Sequence, residues 1–273
     1  MRDILIDAFL DSYPILPILF LTYLVFEYVE RHNHLEKINR LLSMKGIGPF
    51  IGAAAGLLPQ CGFSIAAAGL YLSNTISIGT LISVFIATSD EALPILISYP
   101  DQFSALMFIV FGKFVIAFLA GCLIDLVWHK KQKAQPGVYE SREDHEHMII
   151  AAAYRTLKIF IFILITNFFI GGIIHLLGTD RLSAVLMTDT YWQPLLAGIF
   201  GFIPNCAASV VLTQLFVNGS ISFGSFAAGL ITNAGLGLLV VARSRDDRKD
   251  LLLIASYMLL VAFTCGALLQ WLL

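Results

Sequence analysis

Two cysteines in apolar surroundings are the residues of this chain best suited to chemistry. Gly56 to Ser64 reads GLLPQCGFS, and Gly201 to Ser209 reads GFIPNCAAS. Each stretch sets a proline (Pro59, Pro204) two residues before a cysteine (Cys61, Cys206), with a side-chain amide between them (Gln60, Asn205) and a serine three residues on (Ser64, Ser209). Proline suits the start of a helix, where its missing N–H costs nothing. The cysteine then falls in the first turn, at the positive end of the dipole, where an anionic ligand is favoured. The serine shares that helix face. The chemistry this suggests is ligation by two soft sulfurs and several oxygens. The plainer alternative is close packing, with cysteine as a small hydrophobe. Recurrence of proline, cysteine and serine together favours the ligand reading.

A second constellation is Thr88, Ser89, Asp90 and Glu91, followed by Pro94, inside the apolar run Ile76 to Ile97. Adjacent carboxyls within a spanning segment are expensive and mark a substrate pathway or proton relay. Pro94 offers no N–H to the carbonyl of Asp90, which frees that oxygen as a further ligand. The matching stretch Thr232, Asn233, Ala234, Gly235 is polar but uncharged, so one half alone carries acid. That asymmetry suits a coupling device in which protonation of Asp90 or Glu91 alternates with cation binding. The alternative is that one carboxyl, Glu91 sooner than Asp90, reaches the interface and is solvated. The expected binding set is Gln60, Cys61, Ser64, Thr88, Ser89, Asp90, Glu91, Asn205, Cys206, Ser209, Thr232 and Asn233, with Cys61, Cys206 and Asp90 as metal ligands. Lys113 reads either as a partner of Asp90 or Glu91 or as a snorkelling side chain. Cys122 and Cys265, beside Gly121 and Gly266, read as packing.

The elements that must position these residues follow from composition and repetition. Of 273 residues, 58% are hydrophobic and 13% charged, with mean hydropathy +0.82. A soluble domain carries about 25% charge, so this is an all-α integral membrane protein. Runs of about 20 residues or more, long enough to span, are Ile4 to Phe26, Ile76 to Ile97, Phe103 to Val127, Ile149 to Leu177, Ile221 to Val241 and Leu251 to Leu273. An offset of 145 residues pairs Gly56, Pro59, Cys61, Ser64, Leu70, Ile76, Ser77, Gly79 and Ile86 with identical residues in the second half. Chance supplies about two or three such identities in that window, so the chain is an internal duplication.

Loop charges orient the halves. Arg31, Lys37, Arg40 and Lys45 precede the first cysteine segment; Lys130, Lys131, Lys133, Arg142, Arg155 and Lys158 fill the centre. The positive-inside rule makes both loops cytoplasmic, so an even number of crossings separates them. Two long helices already supply it, and the Pro-Gln-Cys segment, whose arms are too short to span, must be a re-entrant hairpin. In the second half the loop Gly178 to Gln193 carries Arg181 as its only basic residue, whereas Arg243, Arg245, Arg248 and Lys249 follow the helix from Ile221. Each half thus has three transmembrane helices plus one re-entrant hairpin with a Pro-x-Cys tip. An odd crossing number inverts the second copy, giving the inverted-topology repeat of secondary transporters. The expected divisions are residues 1–128 for the first repeat (hairpin 46–74), 129–148 for a cytoplasmic linker and 149–273 for the second repeat (hairpin 192–218). Both termini fall outside, in a multi-pass protein of the cell (inner) membrane. The linker cluster Glu143, Asp144, His145, Glu146, His147 reads as a solvated loop before a metal-sensing one.

The paired Pro-x-Cys hairpins, with the Thr-Ser-Asp-Glu and Thr-Asn-Ala-Gly segments, resemble the ten-helix heavy-metal exporters, a family also known as arsenic efflux proteins or manganese transporters. Six spans and four half-helices make ten, and the similarity covers nearly the whole chain. The resemblance implies a metal or metalloid exporter. Thiolates with oxygens suit zinc, cadmium or trivalent arsenic, whereas manganese prefers oxygens. With no nucleotide-binding loop the expected energy source is the proton gradient. The expected partners are therefore the lipid bilayer, a metal or metalloid ion and protons; no cofactor and no nucleic acid is expected, and a homo-oligomer is left open. Two alternatives stand: a transporter of an organic or lipid-linked anion held at the hairpin helix N-termini, and a membrane thiol-redox enzyme using Cys61 and Cys206, disfavoured because neither cysteine has a resolving partner in a CxxC pair.

Overall fold

Apolar segments in a bilayer have no water to satisfy their backbone, so they close their hydrogen bonds within helices. The computed structural model describes residues 46–57, 61–72, 75–88, 92–128, 191–204, 206–243 and 248–272, with isolated positions at 20, 24, 153, 154, 157 and 161. Among the described residues every regular element is helical. In the first half these are α1 (Ile47–Gly56), α2 (Cys61–Leu72), α3 (Ile78–Ala87), α4 (Ala92–Ile97), a 3₁₀ turn (Pro100–Gln102) and α5 (Phe103–Val127). In the second they are α6 (Gln193–Gly201), α7 (Cys206–Val217), α8 (Phe223–Thr232), α9 (Gly237–Arg243) and α10 (Arg248–Leu272). The bounds of α2, α3 and α5 recur in α7, α8 and α10 at an offset of 145 residues. The first expected span, the span from Ile149 and the central linker lie outside the described residues.

Two helices, Phe103–Val127 and Lys249–Leu272, are long and apolar enough to cross a bilayer, as the hydropathy predicts. The runs Ile76 to Ile97 and Ile221 to Val241, expected as single helices, are each two pieces. α3 stops at Ala87 and α4 begins at Ala92; α8 stops at Thr232 and α9 begins at Gly237, bent by 40°. The physical reason is local. Pro94 falls in the first turn of α4, where a missing N–H is harmless, rather than in a helix interior. In the second copy Gly235 takes a positive φ of 55°, which glycine alone accepts freely, and Asn233 Oδ1 accepts from the Gly235 N–H at 3.3 Å.

Packing repeats with the sequence. α1, α3 and α5 pack on one another, and α6, α8 and α10 do the same. Their crossings rest on matched small residues. A Cβ at Gly121 would lie 2.6 Å from the Gly79 carbonyl and 3.0 Å from Pro49; one at Gly266 would lie 2.8 Å from the Gly224 carbonyl and 2.9 Å from Pro194. Backbones this close need glycine. Between the halves the contacts are reciprocal: α2 packs on α9 and α7 on α4, while α3 meets its own counterpart α8. Reciprocity of this kind is what a two-fold relation produces. One apolar core, including Ala53, Ile82, Phe85, Ala117, Ala228, Ile231, Ile254 and Met258, draws on both halves. By contrast Phe103, Phe108, Phe111 and Leu123 on α5 face outward.

Polar bonds fix which helix ends adjoin. Ser77 and Ser222 cap α3 and α8, accepting from the N–H groups of Thr80 and Ser225. Asp125, near the end of α5, accepts from the Ser77 hydroxyl at 2.6 Å and the Gly79 N–H at 2.8 Å. At the start of α6, Gln193 Oε1 accepts from the Ser222 N–H at 3.3 Å and the Ser225 hydroxyl at 2.9 Å. Tyr257, in the first part of α10, donates to the Ala120 carbonyl of α5 at 2.8 Å. Tyr71, at the end of α2, donates to Asp250 at 2.6 Å.

Candidate functional site

A helix that stops in an apolar region leaves its last carbonyls without intrahelical partners. Four helices, α1, α3, α6 and α8, stop where these two halves meet. A Cβ at Gly56, the last residue of α1, would sit 2.6 Å from the Val84 carbonyl and 2.7 Å from Ala87 Cβ, at the end of α3. Gly201, the last residue of α6, stands equally close to the Gly229 carbonyl and the Thr232 hydroxyl of α8. The first turn of α2 reaches the same place: a Cβ at Gly237, where α9 starts, would lie 2.6 Å from the Ser64 carbonyl and 2.7 Å from the Phe85 ring. The helix ends leading into both cysteine segments therefore lie beside the breaks that follow Ala87 and Thr232.

Five of the expected site residues fall at these ends and are all buried: Ser64, Thr88, Ser209, Thr232 and Asn233. Thr88 turns its hydroxyl back onto the Val84 carbonyl at 2.7 Å. Thr232 bonds the Gly229 carbonyl at 3.1 Å, and the Ser209 carbonyl accepts from the Thr213 hydroxyl at 2.6 Å. The described parts of α2 and α7 run from Cys61 and Cys206. Pro204 precedes α7 in non-helical backbone instead of starting the helix as expected. Gln60, Ser89, Asp90, Glu91 and Asn205, and the side chains of Cys61 and Cys206, lie outside the described residues. Among the described residues no group of three His, Cys, Asp or Glu could hold a metal ion.

Of the two readings of Lys113, pairing with Asp90 or Glu91 falls on residues outside those described, and snorkelling fails, because Lys113 is 2% exposed. Its Nζ donates to the Thr88 carbonyl and, at 2.8 Å, to the Leu230 carbonyl. These carbonyls belong to the ends of α3 and α8, one from each half. The signal was present in the chain: Lys113 stands near the middle of a 25-residue apolar helix, too deep to reach either interface, and its counterpart at the 145-residue offset is Met258, also buried.

One protein family, described as a putative, 10TM heavy-metal exporter, matches the chain over residues 1–181 and 143–272. The chain belongs to this family. With its apolar helices, membership makes it a multi-pass membrane transport protein. Among curated proteins and among solved structures, none matches.

Proposed function

We propose that this chain is a secondary active transporter that exports a heavy-metal or metalloid ion, coupled to protons, through a midplane site between two re-entrant hairpins. The observation that carries the reading is the convergence of helix ends: Gly56 against Val84 and Ala87, Gly201 against Gly229 and Thr232, and Gly237 against Ser64. Irregular backbone at membrane depth is tolerated where protein or a polar cavity covers it, and it is where carriers bind substrate. Lys113, near the middle of α5, touches two of these ends, which supports a midplane depth. The family description supports a heavy-metal cargo.

The inverted arrangement draws support from the same bonds. The start of α6 adjoins the start of α8 through Gln193, as a hairpin leaving and returning on one face requires. Pro49 at the start of α1 meets Gly121, which meets Gly79 at the start of α3, and the first hairpin reads the same way. The bond from Tyr257 to Ala120 joins the N-terminal half of α10 to the C-terminal half of α5, consistent with opposed halves. In this reading Cys61 and Cys206 supply sulfur, Asp90 a carboxylate, and Gln60, Ser64, Thr88, Ser89, Asn205, Ser209, Thr232 and Asn233 the surrounding oxygens. Asp90 and Glu91 carry the coupling proton.

The test is uptake into everted vesicles, with and without an imposed proton gradient, over a panel of metal ions, arsenite and organic anions. Wild type is compared with Cys61→Ser, Cys206→Ser and Asp90→Asn. Metal uptake that depends on the gradient and falls in all three variants is the expected result. Uptake untouched by the three changes would sink the site, and uptake of the organic anions alone would favour the anion carrier.

A further inference from the structure

We propose that α1 is the moving arm of the carrier and that α6, its counterpart, is held in place, so that the site opens from the side on which the first hairpin enters. The inference rests on the hairpin reading above and adds a direction of opening to it. α1 and α6 occupy matching places at the 145-residue offset, with Pro49 on Pro194 and Gly56 on Gly201. They differ in how they are fastened. Gln193, the first residue of α6, accepts from the Ser222 N–H at 3.3 Å and the Ser225 hydroxyl at 2.9 Å, and Trp192 stacks on Phe263 of α10 with ring centroids 6.1 Å apart. The residue matching Gln193 is Gly48, and α1 as a whole, IGPFIGAAAG, has no side chain able to form a hydrogen bond.

Asp125 of α5 closes the start of α3 instead, accepting from the Ser77 hydroxyl and the Gly79 N–H, and a second tie runs from the Ser83 hydroxyl to the Ala117 carbonyl. α3 and α5 thus form a frame without help from any α1 side chain. Against that frame α1 sets glycine and one ring: a Cβ at Gly52 would lie 2.8 Å from the Thr80 carbonyl, and Phe50 meets Phe114 and Phe118 edge-on at 5.6 and 5.8 Å. Such contacts are close but undirected, so a helix can slide along them in small shear steps that hydrogen bonds, with their narrow geometry, would resist. The entrance supplies the joint. Gly46 holds φ 86°, and no described atom lies within 4 Å of where its Cβ would be; glycine there can change its backbone angles at little steric cost. Its counterpart is Tyr191. The far end of α1 gives the motion its consequence: Gly56 sits against the Val84 carbonyl and Ala87 at the end of α3, so withdrawal of α1 uncovers the break that follows.

Hydrogen–deuterium exchange, which reads local opening, is followed on purified full-length protein in lipid nanodiscs, for wild type and Gln193→Ala. In wild type the amides of α1 should exchange at least about tenfold faster than the matching amides of α6, which is what two hydrogen bonds are worth. The α1 rates should also be alike along the helix, as an arm opening as a unit requires. Gln193→Ala should bring α6 up to the rate of α1 and leave α1 unchanged. Equal exchange of the two arms in wild type, or faster exchange of α6, overturns the inference and needs no variant. Rates in α1 that fall steadily from Ile47 to Gly56, the mark of end fraying, overturn it too, as does failure of Gln193→Ala to speed α6. Exchange is read without cargo. Equal arms together with gradient-driven metal uptake would therefore refute the moving arm alone, and unequal arms without uptake would uphold it while the export reading fails.

Discussion

Replacing Gly121 by alanine tests the packing that holds the candidate site together. Two opposed effects can be weighed on the same helix. In a helix interior alanine is favoured over glycine by about 1 kcal/mol, and at Gly112 nothing lies within 4 Å of a new Cβ, so Gly112→Ala should realise that gain. At Gly121 the new Cβ would fall on the Ser83 hydroxyl and approach the Gly79 carbonyl to 2.6 Å. Ordinary contact begins near 3.4 Å, so α3 and α5 must part by about 0.8 Å there. Overpacking of this kind costs about 1–3 kcal/mol. Ser83 also gives up bonds to the Gly79 and Ala117 carbonyls, both 2.9 Å, worth about 1 kcal/mol each. The net expectation for Gly121→Ala is a loss of about 2–4 kcal/mol against a gain of about 1 for Gly112→Ala. The same parting loosens Lys113 from Thr88 two turns away, so uptake should fall with stability. Thermal unfolding in detergent, followed by vesicle uptake, measures both. If Gly121→Ala is as stable as wild type, or if Gly112→Ala is equally damaging, the close approach of these helices is not what positions the site.

Three further outcomes follow from single bonds. Tyr71→Phe should destabilise by about 1.5–3 kcal/mol, because it removes a donor from the buried Asp250 carboxylate at the contact between halves; an unfolding midpoint equal to wild type would contradict it. Asp125→Ala removes two acceptors from the start of α3 and should cost about 2–3 kcal/mol, whereas Gln270→Ala, at the matching position, should cost little, since Gln270 Oε1 is buried with no hydrogen-bond partner among the described residues. Equal losses from the two would show that the caps are equivalent. Cys122→Ser and Cys265→Ser should leave metal uptake near wild type while Cys61→Ser and Cys206→Ser abolish it, and parallel loss in all four would mean that cysteine serves packing throughout.

Much of this protein is written locally in its chain. Apolar composition requires helices, because backbone groups without water must pair within their own segment. The repeat at 145 residues follows from identities such as Pro59 with Pro204 and Cys61 with Cys206, and the helix bounds keep the same offset. What sequence patterning misreads is continuity. The runs through Thr88 and Asn233 look like single helices because hydropathy averages over polar residues, and the breaks depend on local backbone such as Gly235 at φ 55°. Lys113 is the other instance. Its type and depth are visible in the sequence, but its role is not, since Thr88 and Leu230 meet it only when α3, α5 and α8 pack. The bonds of Asp125 to α3 and of Tyr71 to Asp250 are likewise contacts between residues far apart in the chain. Sequence by itself thus determined the apolar helical environment and the repeat at 145 residues. Tertiary structure decided which helix ends adjoin and which charge stands between them, because both depend on surfaces that exist only once the two halves have closed on each other.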